Sequence, residues 1–176
     1  MDPVTNSVVI DRPQEEVFEY LADVANHLEF SDHYVTDFRV TREDTYGAGA
    51  GARFRLKLRG NRFAFADLTF IDFERPKRIV MAGRGGKYNR TRILSDLILE
   101  PAHGGGTRVT LTTETQPGIL SDRLTETIYF QRGWLKRSQR KALRRLGSIL
   151  EEGKGRGMRA TIATGARKPA SRFRYN

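Results

Sequence analysis

The spacing of apolar residues changes character several times along the chain, and each change marks an element. Asn6 to Ile10 reads as a short strand, with Val8 and Ile10 on one face and Val9 on the other. Asp11-Arg12-Pro13-Gln14-Glu15-Glu16 then opens a helix. Pro13 suits its first turn, and the two glutamates stand near the positive end of the helix dipole. Val17, Phe18, Leu21 and Ala22 form an apolar stripe on one side. A second short helix is predicted around Val24 to Leu28, running into the loop Glu29-Phe30-Ser31-Asp32-His33-Tyr34.

From there the period falls to two. Val35 to Thr41 puts Phe38 and Val40 on one face. A bend through Gly47, Gly49 and Gly51 leads to Arg53-Phe54-Arg55-Leu56-Lys57-Leu58-Arg59, which alternates basic and apolar without a slip. That is the pattern of a half-buried antiparallel strand. A turn at Gly60-Asn61 precedes a long aromatic-rich strand, Arg62 to Phe73. Arg78 to Gly83 makes another strand, and Gly85, Gly86 and Asn89 read as a flexible loop. Thr91 to Glu100 and Thr107 to Thr115 form a last hairpin.

Gln116-Pro117-Gly118 ends the strand pattern, and a helix is predicted from Ser121 to about Glu152. Leu124, Ile128, Leu135, Ala142, Leu146 and Leu150 recur at helical spacing, so one stripe faces the body. Basic side chains fill most of the remaining surface, among them Arg132, Lys136, Arg137, Arg140, Lys141, Arg144 and Arg145.

Charge sharpens this division. Residues 1–118 hold 16 basic and 17 acidic side chains, whereas residues 153–176 hold 7 basic and none acidic. The excess of cations therefore belongs to the C-terminal third. The expected organisation is one domain over residues 1–152 followed by a basic, flexible tail over residues 153–176. With 176 residues and 38% apolar content the chain suffices for one sizeable core. There is no cysteine, which removes disulfides and thiolate chemistry. No stretch approaches the roughly 20 apolar residues of a membrane span, and a signal-peptide pattern is missing from the start. A cytoplasmic location is the expectation.

A strand, two short helices, a meander of strands and one long closing helix form a distinctive order. The order resembles the helix-grip fold of the START/SRPBCC superfamily, particularly its polyketide cyclase/dehydrase-like branch. Three stretches carry the likeness: Val8 to Phe18 at the first strand and helix, Phe70 to Ile79 at the mid-sheet turn, and Leu97 to Pro101 followed by Gly106 to Thr110. The resemblance implies an α+β fold in which a curved antiparallel sheet of about seven strands grips the C-terminal helix. It also implies an apolar cavity between them for a lipid, polyketide or quinone-like ligand.

Strand alternation nominates the lining: Phe38, Phe54, Leu56 and Leu58 from the early strands, and Ser95, Leu97, Val109, Leu111 and Thr113 from the last hairpin. Phe30, on the loop by the entrance, and Trp134, flanking the helix stripe, join them. Small hydroxyl residues among large apolar ones leave volume and offer hydrogen bonds to an amphipathic ligand.

Candidates for chemistry are few. Asp67 shares a strand face with Phe63, Phe65 and Thr69, but a one-residue register slip inverts its orientation, and an exposed position is expected. His33 and Tyr34 lie near the entrance. The spacing of six between His27 and His33 matches no metal-binding pattern, and His103 sits in a glycine-rich turn. No metal or cofactor is expected.

Binding or transport of a small hydrophobic molecule is the leading expectation. The alternative is a cyclase or dehydratase that shuttles a proton through Asp67, His33 or Tyr34. The basic helix face and tail suggest transient contact with anionic membrane. Nucleic acid is disfavoured as a partner, because residues 1–118 are nearly neutral and carry no nucleic-acid-binding motif.

Overall fold

In the computed structural model the described residues are 2–58, 64–118, 131–158 and 160–162. Strand β1 (Val4–Ile10) leads into α1 (Gln14–Ala22), a 3-10 turn (Val24–Asn26) and α2 (His27–Ser31). Six strands follow: β2 (Val35–Val40), β3 (Gly51–Leu56), β4 (Phe65–Glu74), β5 (Arg78–Gly85), β6 (Thr91–Pro101) and β7 (Thr107–Gln116). A long helix, α3 (Gln131–Glu152), and the two-residue β8 (Thr161–Ile162) come last.

The strands form one sheet in the order β1-β7-β6-β5-β4-β3-β2-β8. All neighbours from β1 to β2 are antiparallel, while β8 runs parallel to β2. Register shifts in β2, between Thr36 and Arg39, and in β4, between Phe70 and Asp72, bend these strands. Bulges of this kind increase local twist, and here they curl the sheet around a concave face. The architecture is the α+β helix grip, with α3 held in the curl.

Burial explains why α3 lies there. Ala142, Leu143, Leu146 and Ile149 are each at most 2% exposed, and they meet Ile10, Phe18, Leu99 and Val109 in a continuous core. The C-terminal end of α3 is pinned by the residues just before α1. Arg12 donates from Nε to the Leu150 carbonyl (2.8 Å) and from its terminal nitrogen to the Glu151 carbonyl (2.9 Å). Both are acceptors that a helix end leaves without an internal partner. The Asp11 backbone N–H donates to Glu151 Oε1 at 2.7 Å. Gly153 then stops the helix at φ +68°, where a side chain would be strained.

Several boundaries differ from the sequence reading. β1 starts at Val4 rather than Asn6, and the second helix continues to Ser31, so Phe30 stands on a helix and not in a loop. The strand expected to end at Gly83 continues to Gly85, which is paired on both sides and not part of a loop. A Cβ at Gly83 would run into the Asp67 carbonyl oxygen, and one at Gly85 into that of Phe65. Glycine is what lets β4 and β5 approach so closely. The expected turn at Gly60-Asn61 and the expected helix start at Ser121, with Leu124 and Ile128, lie outside the described residues.

The chain beyond α3 doubles back on the body over the part of it that is described. Gly157 N–H donates to the Glu29 carbonyl (2.8 Å), and Met158 N–H donates to Asp32 Oδ2 (3.0 Å). Arg145, on α3, ties this segment down. Its guanidinium pairs with Asp32 Oδ1 and donates to the carbonyls of Glu29 (3.1 Å) and Gly155 (3.0 Å). Composition alone makes this stretch read as a tail, because its partners are backbone carbonyls and acids distant in sequence.

Candidate functional site

Between the concave sheet and α3 lies a cavity of about 140 Å³. Its walls are mostly apolar: Phe38, Phe54, Leu56, Leu68, Phe70, Met81, Leu97 and Leu111 from the sheet, with Leu21, Phe30, Leu135 and Leu143 from the helices. Ala52, Ala66 and Ala142 also line it. Their small side chains leave unfilled the space that larger residues at the same inward positions would occupy. Phe38 and Phe54 stack at a centroid distance of 5.8 Å, giving one wall a flat aromatic surface.

Besides Ser31 and Thr115, three polar features come into this apolar surface. The first is a ladder on the β6–β7 wall. Asn6 Nδ2 donates to Gln139 Oε1 (3.3 Å), Gln139 Nε2 donates to Thr113 Oγ1 (2.8 Å), and Thr113 Oγ1 bonds with Ser95 Oγ (3.0 Å). All four side chains are buried. The ladder satisfies groups whose burial without partners costs about 1–3 kcal/mol each.

His27, on α2, is the second. Its Nε2 lies 2.8 Å from the Leu21 carbonyl oxygen, which only accepts, so Nε2 carries the proton. Burial holds its pKa below the usual histidine value, and the ring is neutral. Nδ1 is then a bare acceptor, with no partner among the described residues. The ring sits 5.4 Å from both Phe30 and Phe70.

Tyr34, just before β2, is the third. Its phenol has no hydrogen-bond partner among the described residues, and burial alone pushes its pKa up to about 12. The ring is held edge-on by Trp134, at 6.1 Å.

The nominated residues separate accordingly. Phe30, Phe38, Phe54, Leu56, Ser95, Leu97, Leu111, Thr113 and Tyr34 all line the cavity. Leu58, Val109 and Trp134 do not. β3 ends at Leu56, and a tight turn from Leu58 N–H to the Leu56 carbonyl (2.8 Å) breaks the alternation before Leu58. Val109 points inward but lies in the solid part of the core. Trp134 packs beside Tyr34 rather than against the space.

Asp67 is on the outer sheet face, opposite Arg53 on β3 and Arg84 on β5, while its neighbours Ala66 and Leu68 face in. His33 is also outside the cavity. Its Nε2 donates to the Ser138 carbonyl (3.1 Å) and its Nδ1 accepts from Arg145 (3.2 Å), so it braces the turn after α2 against α3. Burial first, then the cations Lys141 and Arg145, lower its pKa.

Gln139 and His27 are among the lining residues that the nominated set did not include. A signal existed for each. Gln139 stands four residues after Leu135 and three before Ala142, inside the apolar stripe, and His27 stands three from both Val24 and Phe30. A polar residue at a core-facing helical position is the mark of a buried network or a ligand contact. Among the described residues no cluster of three or more His, Asp or Glu side chains is placed to hold a metal. No helix among them is long and apolar enough to cross a membrane.

Solved structures with this fold include the KanY protein, at a TM-score of 0.66 and 21% identity over 85% of this chain and 97% of that one. TTHA0849 from Thermus thermophilus superposes at a TM-score of 0.63, with 20% identity over 86% of this chain and 99% of the other. Truncated norcoclaurine synthase from Thalictrum flavum reaches 0.63 at 10% identity, covering 87% of this chain and 95% of that protein. At these identities the likeness establishes the fold alone. No curated protein matches the sequence. The family described as polyketide cyclase / dehydrase and lipid transport matches residues 1–151, nearly the whole helix grip and its cavity, and this chain belongs to it.

Proposed function

We propose that this protein binds or carries a small hydrophobic ligand, of lipid, polyketide or quinone type, in the cavity beneath α3. One observation carries the reading: a space of about 140 Å³ with apolar walls and a few well-separated polar groups. Sites of that composition take up a ligand by burying its apolar surface and orient it with the polar points. The family's description, which joins polyketide chemistry to lipid transport, agrees with it.

The test is recovery of a ligand. Protein incubated with a native lipid extract, repurified and analysed by mass spectrometry retains a hydrophobic compound in stoichiometric amount. The variant Ala66→Phe, whose ring projects into the cavity, retains none. A cavity empty of every hydrophobic compound would overturn the proposal.

Catalysis of cyclisation or dehydration in the same cavity is a second reading, favoured by Tyr34. A phenol with a raised pKa stays protonated at neutral pH and serves as a proton donor rather than a base. Turnover of a polyketide-like substrate by the wild type but not by Tyr34→Phe would decide for it. Contact with anionic membrane belongs to the same proposal. Lys136, Arg137, Arg140, Lys141 and Arg144 are exposed along α3, and each cation attracts such a surface by about 1 kcal/mol.

A further inference from the structure

The polar groups of the cavity wall differ in what they have left to offer, and the difference constrains the ligand. Resting on the binding function proposed above, we infer that the cavity takes a ring-sized ligand bearing a hydroxyl, whose O–H donates to His27 Nδ1.

Size is the first argument. A cavity of roughly 150 Å³ lined by aliphatic and aromatic residues accommodates one benzene ring. The space here, about 140 Å³, is of that scale. It encloses a single ring or its equivalent, and the remainder of a longer molecule must extend beyond it. Phe30, Phe38, Phe54 and Phe70 supply the walls such a ring packs against.

Hydrogen-bond capacity is the second. Nε2 of His27 is committed to the Leu21 carbonyl, so the ring's remaining function is that of an acceptor at Nδ1. A buried acceptor left without a donor is costly, and the described residues supply none. A ligand hydroxyl satisfies it. Ser95 and Thr113 own two hydroxyl hydrogens between them, and their mutual bond uses one. Thr113 also accepts from Gln139. Whichever of the pair donates to the other, one O–H remains to be given. The Tyr34 phenol is a second uncommitted donor on the cavity wall.

Among these groups His27 Nδ1 is the one that only accepts, while Tyr34 and the Ser95–Thr113 pair each keep an O–H to donate. A pure hydrocarbon leaves all three unmet, and a carboxylate presents no donor to His27. A neutral hydroxylated ring, with a carbonyl or second oxygen to receive the donors, meets them. Phenols and hydroxy-ketones have that chemistry.

The experiment uses phenol, anisole and toluene as probes of the full chain by calorimetric titration. Anisole has the phenol oxygen without its donor, and toluene has neither. In His27→Phe the ratio of phenol to anisole affinity falls about five- to tenfold relative to wild type, which is the net effect of one buried hydrogen bond. Toluene affinity changes by less than about twofold, since toluene makes no hydrogen bond for the substitution to remove. In case the variant does not fold, the wild-type protein labelled with nitrogen-15 in histidine reports directly. Phenol moves the His27 Nδ1 resonance out of the position of a bare imidazole nitrogen, and toluene does not. If toluene binds while the affinity ratio and the Nδ1 resonance are unmoved, this inference is overturned and the binding function stands. If no aromatic probe binds at all, this inference falls, and the lipid-extract experiment decides the binding function separately.

Discussion

Thr113→Val removes one oxygen from the buried ladder while keeping the shape of the side chain. Thr113 Oγ1 accepts the Gln139 amide at 2.8 Å and bonds Ser95 at 3.0 Å, and Gln139 is 4% exposed. Valine leaves that amide N–H without an acceptor, at a cost of about 1–3 kcal/mol. The Ser95 hydroxyl can rotate and adds little. Valine's higher strand propensity returns a few tenths of a kcal/mol, so a net loss of about 2 kcal/mol is expected. Thr113→Ser makes the complementary change: it keeps the oxygen and deletes one methyl, worth about 0.8 kcal/mol. The serine variant is therefore the more stable of the two, although valine is the more hydrophobic and the better strand former. Urea unfolding followed by circular dichroism gives both values, with an unchanged slope confirming that neither variant alters the unfolded chain. If Thr113→Val equals or exceeds Thr113→Ser in stability, the hydroxyl is not a working member of the ladder.

Arg145→Met removes the guanidinium that joins α3 to Asp32, Glu29 and Gly155, leaving a carboxylate whose side chain is only 19% exposed. A loss of about 2–3 kcal/mol is expected, with faster hydrogen exchange at the Gly157 and Met158 amides; exchange as slow as wild type would refute the clamp. Burial lowers the pKa of His27 and His33 below the 6.5 of an unfolded histidine. The unfolded chain therefore binds more protons once pH falls under about 6.5, and stability declines from there downward and is level above. Burial alone would raise the Asp32 pKa, but hydrogen bonds from Arg145 and Met158 N–H outweigh it and hold the carboxyl below 3.8. Its contribution persists at higher pH and disappears only as pH falls through that lowered value. Thermal melts between about pH 7.5 and 5 check the histidine part, and a flat profile there would contradict two neutral rings, of which His33 is only half-buried. Ala66→Phe is expected to abolish binding of hydrophobic probes at a stability cost of about 1–3 kcal/mol from overpacking; probe affinity equal to wild type would place the ligand elsewhere. Reversing charge at Arg137, Arg140 and Arg144 together is expected to weaken sedimentation with phosphatidylserine vesicles, and binding independent of these residues would remove α3 from the membrane contact.

Alternation along a strand made part of the site legible in advance. Phe38, Phe54, Leu56, Leu97 and Leu111 face inward because a pleated strand sends every second side chain to the same side, and no tertiary information is needed to see it. The same rule misled at Leu58, where the strand had already ended, and it left Asp67 undecided until β4 was paired with β3 and β5. It also does not separate a residue that lines a space from one that fills it. Leu97 and Val109 point the same way, yet one borders the cavity and the other lies in solid core. The distinction depends on how far α3 stands off the sheet, and on alanines at 52, 66 and 142, contributed by three different elements.

What the sequence by itself determined was the order of elements, the direction in which each strand's side chains point and the segregation of charge to the C-terminal third. These follow from local periodicity and composition, which act over a few residues. Only the tertiary structure decided where empty volume remains, that His27 is neutral with one nitrogen uncommitted, and that Arg12 and Arg145 tie α3 to segments more than a hundred residues distant along the chain. A hydrogen bond or a cavity belongs to atoms that meet in space, and their meeting is set by the curl of the whole sheet rather than by any stretch of chain.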